Sequence, residues 1–278
     1  MKKRLLSALL AIMVISSCLT ACGDSSSQTD ASKTESSSQA DTTTTSDTTT
    51  TTTTATTTQA ATTTQETTTT APQSQNRVVL DLKNIQAKPE LPKGSEITCA
   101  TMLLNYYGFN VDKMKLLEYL PISEGPDENG VWVTAYESYL GNPKLDSGYG
   151  CYNTVVKKAI KSYWRKESIT GYKVNDPSIT NFVDLYDTIK NGDPVIIWAT
   201  DNMEDVEITK KAFKTADMGD LDWRKNQHCY VLIGFDKDKG TAILSDTLDE
   251  KGVVEYPEKD VAKVYDQLNC QALVIRKE

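Results

Sequence analysis

Three residue types that cooperate in acyl transfer occur at separate points of this chain, namely Ser95, His228 and Asp246. Ser95 directly precedes an apolar stretch with helical spacing, so it would lie where a helix dipole and free N–H groups favour negative charge. His228 is the only histidine, so any proton transfer through an imidazole has to use it. A carboxylate that accepts from one ring nitrogen fixes the tautomer of a histidine and stabilises its charged form. These residues therefore predict a nucleophile, a base and an orienting acid, provided that the fold brings them together.

Two apolar runs, residues 228–236 and 241–246, are expected to carry His228 and Asp246. Each run is short, rich in β-branched and aromatic residues, and bounded by turn residues, which is typical of a strand. The DKDKG sequence between them predicts an antiparallel hairpin, and His228 and Asp246 would then lie at the same end of it. A histidine at the start of a buried strand could equally be structural, so its catalytic interpretation depends on this pairing.

Residues 96–107 repeat apolar side chains with the period of a helix, and Gly108 is a typical helix end. Two interpretations of Ser95 stay open: an N-cap of this helix, or a nucleophile at its start. Cys99 is the nearest thiol, but it lies one turn, about 6 Å, further along the helix axis. Burial among apolar neighbours would also raise the pKa of its thiol. We therefore expect Cys99 to pack in the core.

The remaining periodic segments predict an α+β domain. Helices come mostly first and strands mostly last, which differs from a βαβ repeat. The charged segment 201–227 is predicted to be a loop that borders a cleft, and tryptophans are expected in the core or along that cleft. Further helices are predicted over 112–120, 152–164, 178–190 and 258–268, further strands over 194–200 and 272–276, and the tryptophans concerned are Trp132, Trp198 and Trp223.

The N-terminus is predicted to be a lipoprotein signal peptide, residues 1–21. A basic start precedes an apolar run over residues 5–19, which is too short and wrongly flanked to span a membrane. The run closes on LTACG, which resembles the lipobox of bacterial lipoproteins; an ordinary signal peptide is the alternative. The resemblance implies cleavage before Cys22 and acylation of that cysteine, and two or three acyl chains anchor a protein stably. We expect the mature protein on the outer face of the bacterial cell membrane.

Residues 22–76 are predicted to be a disordered stalk, because the Thr-dominated tract 42–70 has almost nothing apolar to bury. Residues 77–278 hold all 4 tryptophans and should form one domain, which we expect to be monomeric. This domain carries 26 Lys and Arg residues against 32 Asp and Glu residues, so nucleic acid is not an expected partner. One histidine excludes a multi-histidine metal site, and we expect no cofactor. The four cysteines of the domain are expected mostly as buried thiols, with disulfides as the alternative.

Four sequence blocks resemble, in order, the bacterial peptidases related to double-glycine leader peptidases, a family of papain-like cysteine peptidases. The blocks are QAKPELPKGSEIT…MLLNYYG, GNPKLDSGYGCY, GDPVIIWAT and NQHCYVLIGFD…LSD, and they span nearly all of residues 77–278. The resemblance implies a papain-like fold and a peptide or protein as substrate or ligand. It assigns the position of the nucleophile to Ser95, the base to His228, the orienting acid to Asp246 and an oxyanion-hole amide to Gln86.

The departure from that family is Ser95, because the first block of the family usually reads Pro-x-Gly-Cys-Glu. A thiol with a free pKa of about 8.5 becomes a thiolate near neutral pH beside a helix N-terminus and an imidazolium. An alcohol is far less acidic, so His228 would have to take the Ser95 proton during attack. Two hypotheses follow. The domain hydrolyses peptide bonds with Ser95, or it is a catalytically inactive module that binds or senses peptides on the same fold.

Overall fold

The computed structural model describes residues 76–177 and 179–278. The predicted signal peptide, the lipidation site Cys22 and the stalk up to residue 75 lie outside these ranges. All described residues belong to one compact unit. Within them, no helix combines the length and the apolar character that crossing a membrane requires.

A mainly antiparallel sheet forms the frame of the described residues. The strands of this sheet are β1 Arg77–Val79, β4 Tyr172–Asn175, β5 Val195–Thr200, β8 Gln227–Asp236, β9 Thr241–Asp246, β10 Val253–Pro257 and β11 Ala272–Lys277. Their order across the sheet is β10-β9-β8-β5-β11-β4, and β1 pairs with the far end of β8. Two small pairs lie outside it: β2 Ile122–Ser123 is parallel to β3 Tyr139–Leu140, and β6 Ile208–Thr215 forms a hairpin with β7 Gly219–Arg224.

The helices are α1 Ser95–Tyr106, α2 Lys113–Leu117, α3 Asn153–Lys166, α4 Leu185–Lys190 and α5 Glu258–Gln267. Helix α1 ends where Gly108 takes a φ of 87°, which a residue with a side chain rarely adopts. The Asp112 side chain accepts from the Met114 N–H and so caps α2. The predicted ends of α1, α3 and α5 agree with these bounds to within two residues.

The core occupies both faces of the sheet. Alternation along β5 and β8 sends Trp198 and Cys229 toward one cluster and Ile197 and Tyr230 toward the other. The first cluster includes buried residues of α1 and α3, and the second includes buried residues of α4 and α5. Because helices and core clusters cover both faces of the sheet, the central strands are continuously apolar. These apolar runs are the reason that the strands could be predicted from the sequence. The α+β class is confirmed.

Several expectations about single elements need correction. The helix predicted over 112–120 ends earlier, at Leu117. The helix predicted over 178–190 is shorter, because a 3-10 turn at Phe182–Asp184 precedes α4. The segment predicted as a loop over 201–227 contains the hairpin of β6 and β7, whose charged, largely exposed residues hid the strand pattern. Strands β1, β4 and β10 were not predicted, because they are short and partly exposed.

Candidate active site

Ser95 is the first residue of α1, and Gly94 is the N-cap. The interpretation of Ser95 as the cap is therefore wrong, and no side chain caps this helix. Its hydroxyl instead accepts a hydrogen bond from the Cys229 N–H at 3.2 Å and donates to Glu96 Oε2 at 3.4 Å. A Cβ on Gly94 would lie 2.7 Å from Leu91 Cβ, so glycine is what lets the chain turn this tightly into the helix. The N-terminus of α1 thus holds Ser95 against the start of β8.

His228 and Asp246 meet at one end of the β8–β9 hairpin, as the sequence predicted. His228 Nε2 lies 2.8 Å from Asp246 Oδ1, and their side chains are only 3% and 8% exposed. The Leu248 N–H also donates to Asp246 Oδ1, at 2.9 Å. Burial raises the pKa of Asp246, but the hydrogen bond and charge of His228 and the Leu248 N–H outweigh it, so the net pKa is below the usual range. The Asp246 carboxylate can therefore hold and orient the imidazole.

The other imidazole nitrogen, Nδ1, is not engaged by Asp246. His228 Nδ1 lies 3.8 Å from Asp201 Oδ1, beyond hydrogen-bond range. Ser95 and His228 line the same cavity of about 40 Å³. Among the described residues no hydrogen bond joins Ser95 to His228, since the Ser95 hydroxyl is directed at Glu96. The two groups are brought together but not yet coupled.

Glu96 is a buried carboxyl group in this cavity that the sequence reasoning passed over. Its Oε1 accepts from the Cys151 N–H at 3.0 Å, while Oε2 faces Ser95. Burial raises the pKa of Glu96 despite these hydrogen bonds and the nearby His228. The sequence did contain an indication of this residue. An acidic residue follows Ser95 directly, in a helix whose neighbouring positions are apolar or small.

Gln227 is the second missed residue, and it directly precedes His228. This residue lines the Ser95 cavity, and neither Nε2 nor Oε1 of its buried amide has a hydrogen-bond partner among the described residues. Gly150 leaves room for it, because a Cβ there would lie 2.4 Å from Gln227 Nε2 and 2.7 Å from Glu96 Oε1. A polar residue beside the only histidine was a usable sequence signal.

Gln86 lies elsewhere. Its Nε2 donates to Asn84 Oδ1 at 2.7 Å and to the Asp249 carbonyl at 2.9 Å, with the Asp246 carbonyl at 3.4 Å. Both amide hydrogens are therefore used to tie the N-terminal segment to the loop after β9. The structure does not direct them at the Ser95 cavity, so the oxyanion-hole role that the resemblance assigns to Gln86 has no geometric support.

The cysteines near the site are packed thiols. Cys99 donates from Sγ to the Cys229 carbonyl at 3.3 Å, and burial together with Asp246 and Glu96 raises its pKa well above the ordinary value. Cys151 and Cys229 are buried as well, with their pKa values raised for the same main reason. All four cysteines of the described residues are free, Cys270 being partly exposed. The expectation of buried thiols is confirmed for three of them.

Open cavities extend from the Ser95 cavity in two directions. Beyond His228 and Asp246 lies one of about 300 Å³, lined also by Asp201 and Tyr230. On the other side Tyr149 leads into one of about 360 Å³ beside Trp132. Trp198, by contrast, is buried and donates from Nε1 to the Cys151 carbonyl at 2.8 Å, and Trp223 is also buried. No group of His, Cys, Asp and Glu in the described residues could hold a metal ion.

Known proteins resemble this chain over the region that contains the candidate active site. The Peptidase_C39 like family matches residues 72–273. YvpB of Bacillus subtilis, described as uncharacterized, is 26% identical over 196 residues, which are 70% of this chain and 74% of YvpB. A crystal structure from Bacillus anthracis, assigned as a C39-like peptidase, gives a TM-score of 0.64 at 29% identity and covers 73% of this chain and 98% of that chain. The peptidase domain of Streptococcus ComA gives a TM-score of only 0.40 at 13% identity, over 70% of this chain and 96% of that chain.

Proposed function

This chain belongs to the Peptidase_C39 like family, and from that premise we propose that it hydrolyses peptide bonds with Ser95 in the position of the nucleophile. The observation that best supports this function is the buried pair of His228 and Asp246, joined at 2.8 Å beside the cavity that Ser95 lines. Removing an imidazole and a carboxylate from water costs free energy that packing alone does not repay. The buried His228–Asp246 pair is therefore better explained by a role in catalysis than by a role in stabilising the fold.

The reaction follows from the three side chains. Ser95 Oγ attacks the carbonyl carbon of a bound peptide, the C=O electron pair moves onto the oxygen, and the hydroxyl proton passes to His228 Nδ1. Asp246 accepts from Nε2–H and stabilises the imidazolium. When the peptide C–N bond breaks, the proton on Nδ1 moves to the leaving amine. Water, deprotonated by the same nitrogen, then attacks the acyl ester. As the ester C–O bond breaks, the proton on Nδ1 returns to Ser95 Oγ and the acid product leaves.

This mechanism requires the Ser95 hydroxyl to turn from Glu96 toward His228. A rotation about the Cα–Cβ bond of serine is a change between staggered rotamers and needs no movement of α1. His228 Nδ1 remains available for the proton, because its separation of 3.8 Å from Asp201 Oδ1 is too long for a hydrogen bond. Catalytic hydrogen bonds often become well aligned only when substrate is bound. A bound peptide would therefore favour the rotamer in which the Ser95 hydroxyl donates to His228.

We also propose that the domain acts at the outer face of the bacterial cell membrane, anchored through lipidated Cys22. The lipobox-like LTACG sequence and the Thr-rich tract after it support this location. The substrate would then be a peptide or protein outside the cell. Ser95, His228 and Asp246 all come from one chain, so a monomer would suffice.

A second candidate function, peptide binding without turnover, is favoured by one observation. The Ser95 hydroxyl donates to Glu96 at 3.4 Å, and its oxygen accepts from the Cys229 N–H. A hydroxyl held by these two groups is not hydrogen-bonded to His228, the base that the mechanism requires. On this hypothesis peptide binding would survive His228→Ala, and no product would form.

Assays of the full-length native protein, Ser95→Cys and Ser95→Ala against a fluorogenic peptide library would separate the two functions. We expect the native protein to release product faster than Ser95→Ala. Ser95→Cys should be faster again by about ten-fold or more, because a thiol is activated more readily at neutral pH. Products should be identified by mass spectrometry. Peptide capture with no cleavage by the native protein or by Ser95→Cys would contradict the hydrolase and leave the binding module.

A further inference from the structure

Gln227 is a polar residue of the Ser95 cavity that the mechanism above does not use. It is the first residue of β8, and it lines the cavity together with Ser95, Glu96 and His228. Both Nε2 and Oε1 are buried without a partner among the described residues. An unpaired buried amide lowers the stability of a protein, so its retention in a cavity calls for a ligand-related explanation.

The surroundings hold this amide beside the nucleophile. Gly150 has a φ of 133°, and a Cβ there would come within 2.4 Å of Gln227 Nε2 and 2.7 Å of Glu96 Oε1. Alternation along β8 places Gln227 on the same face as Cys229, whose N–H donates to Ser95 Oγ at 3.2 Å. The space above Gly150 is therefore reserved for two polar side chains close to Ser95.

Gln86 cannot provide the same hydrogen bond without breaking others. Its amide donates to Asn84 Oδ1 at 2.7 Å and to the Asp249 carbonyl at 2.9 Å. These contacts hold the segment before α1 against the loop that follows Asp246. The two glutamines thus differ in a way that decides their roles: Gln86 has both amide hydrogens engaged, and Gln227 has both of its polar atoms unpaired.

We propose that Gln227, and not Gln86, is the oxyanion-hole residue of this site; this inference rests on the proposed function. Its Nε2–H would donate to the carbonyl oxygen of a bound peptide. When Ser95 Oγ bonds to the carbonyl carbon and the C=O electron pair moves onto the oxygen, that hydrogen bond becomes stronger, which lowers the barrier. Its Oε1 would accept an N–H of the extended peptide backbone.

A peptide boronic acid tests this role, because its boron atom forms a bond with serine Oγ while the hydroxyl proton passes to the base. The product is a tetrahedral anion that resembles the reaction intermediate. The probe is acetyl-Phe-Ala boronic acid, and the reference ligand is the matching acetyl-Phe-Ala amide. Both would be titrated into the full-length protein by calorimetry, and ¹¹B NMR would report the tetrahedral signal. The variant is Gln227→Met, which keeps the length of the side chain, and the matched control is Gln86→Met.

We expect Gln227→Met to weaken boronic-acid binding by about ten-fold or more, with a much smaller effect on the amide. Gln86→Met should stay within about two-fold of the native protein for both ligands, because its amide does not reach the cavity. The melting temperatures give a second readout. Gln227→Met should melt no lower than the native protein, since it removes an unpaired buried amide, whereas Gln86→Met loses two hydrogen bonds and should melt lower.

Three outcomes would overturn the assignment of Gln227. Unchanged boronic-acid affinity in Gln227→Met, or a loss confined to Gln86→Met, would remove it while leaving the proposed function in place. A large fall in the melting temperature of Gln227→Met would show that its amide is structural. If the native protein and every variant fail to give a tetrahedral signal, the proposed function fails and the Gln227 role fails with it.

Discussion

At the scale of single residues, Glu96 determines the present state of Ser95. The Ser95 hydroxyl would have to leave the Glu96 carboxyl before His228 could accept its proton. Burial raises the pKa of Glu96, so the folded protein favours the protonated carboxyl more than the unfolded chain does. A neutral Glu96 could both accept and donate hydrogen bonds in the same cavity. Its protonation therefore affects the hydrogen bonding of Ser95 as well as the stability of the fold.

The raised pKa of Glu96 gives a prediction with a defined sign. Stabilisation from the protonated form is fully present below the ordinary carboxyl pKa of 4.5 and is lost as the pH rises through the higher folded-state pKa. Glu96→Gln keeps the shape but cannot ionise. We therefore expect the variant to gain stability relative to the native protein as the pH rises from about 4 toward 8, a window that starts near the free carboxyl pKa.

Urea unfolding of both proteins at several pH values measures this difference. The comparison isolates Glu96, because every other ionisable group is the same in both proteins. Glu96→Asp serves as a control that keeps an ionisable group in the cavity. Native and Glu96→Gln curves that run parallel across the whole pH range would show that Glu96 does not carry the pH dependence.

At the scale of elements, strand β8 organises the site. It pairs with β5 over residues 227–232, with β9 over residues 230–236 and with β1 at its far end. Its first three residues are Gln227, His228 and Cys229. Helix α1 packs on the same strand, so the backbone of Cys229 reaches Ser95. Helix α1 carries the nucleophile and β8 carries the base. Because the two elements pack against each other, a shift of β8 would disturb both residues.

Gly234 is where this strand is most sensitive to a small change. A Cβ there would lie 2.3 Å from the Val78 carbonyl oxygen and 3.0 Å from Val79 Cα, both of which are backbone atoms of β1. We expect Gly234→Ala to displace β1 and to lower the free energy of unfolding by about 1–3 kcal/mol, as overpacking does. Gly125→Ala is the matched control, because a Cβ there meets no atom within 4 Å. Chemical denaturation would measure both, and equal stabilities would contradict the contact.

At the scale of the whole molecule, the predicted lipid anchor can be tested separately from the folded domain. Cys22 lies outside the described residues, so its lipidation stays a prediction. We expect Cys22→Ala to move the protein from the membrane fraction to the soluble fraction, because no acyl chains would remain to hold it. Fractionation with blotting would measure this, with Cys18→Ala as the control. Membrane retention of Cys22→Ala would contradict the anchor.

Much of the fold was predictable because its signals are local or periodic. The central strands β5, β8, β9 and β11 are buried on both faces or nearly so, and their continuous apolar runs identify them. The pairing of His228 with Asp246 was also predictable, because a short turn leaves an antiparallel hairpin few registers. The hairpin of β6 and β7 was missed because exposed charged residues carry no such period.

The sequence by itself determined which side chains are available for chemistry: one histidine, an aspartate on the neighbouring strand, and a serine in the position of the thiol. Only the tertiary structure decided how their polar atoms are paired. It directs Ser95 toward Glu96, engages both amide hydrogens of Gln86 and leaves the Gln227 amide unpaired in the cavity. The physical reason is that hydrogen-bond pairing depends on distances of about 3 Å between residues far apart in the chain, and no local pattern encodes them.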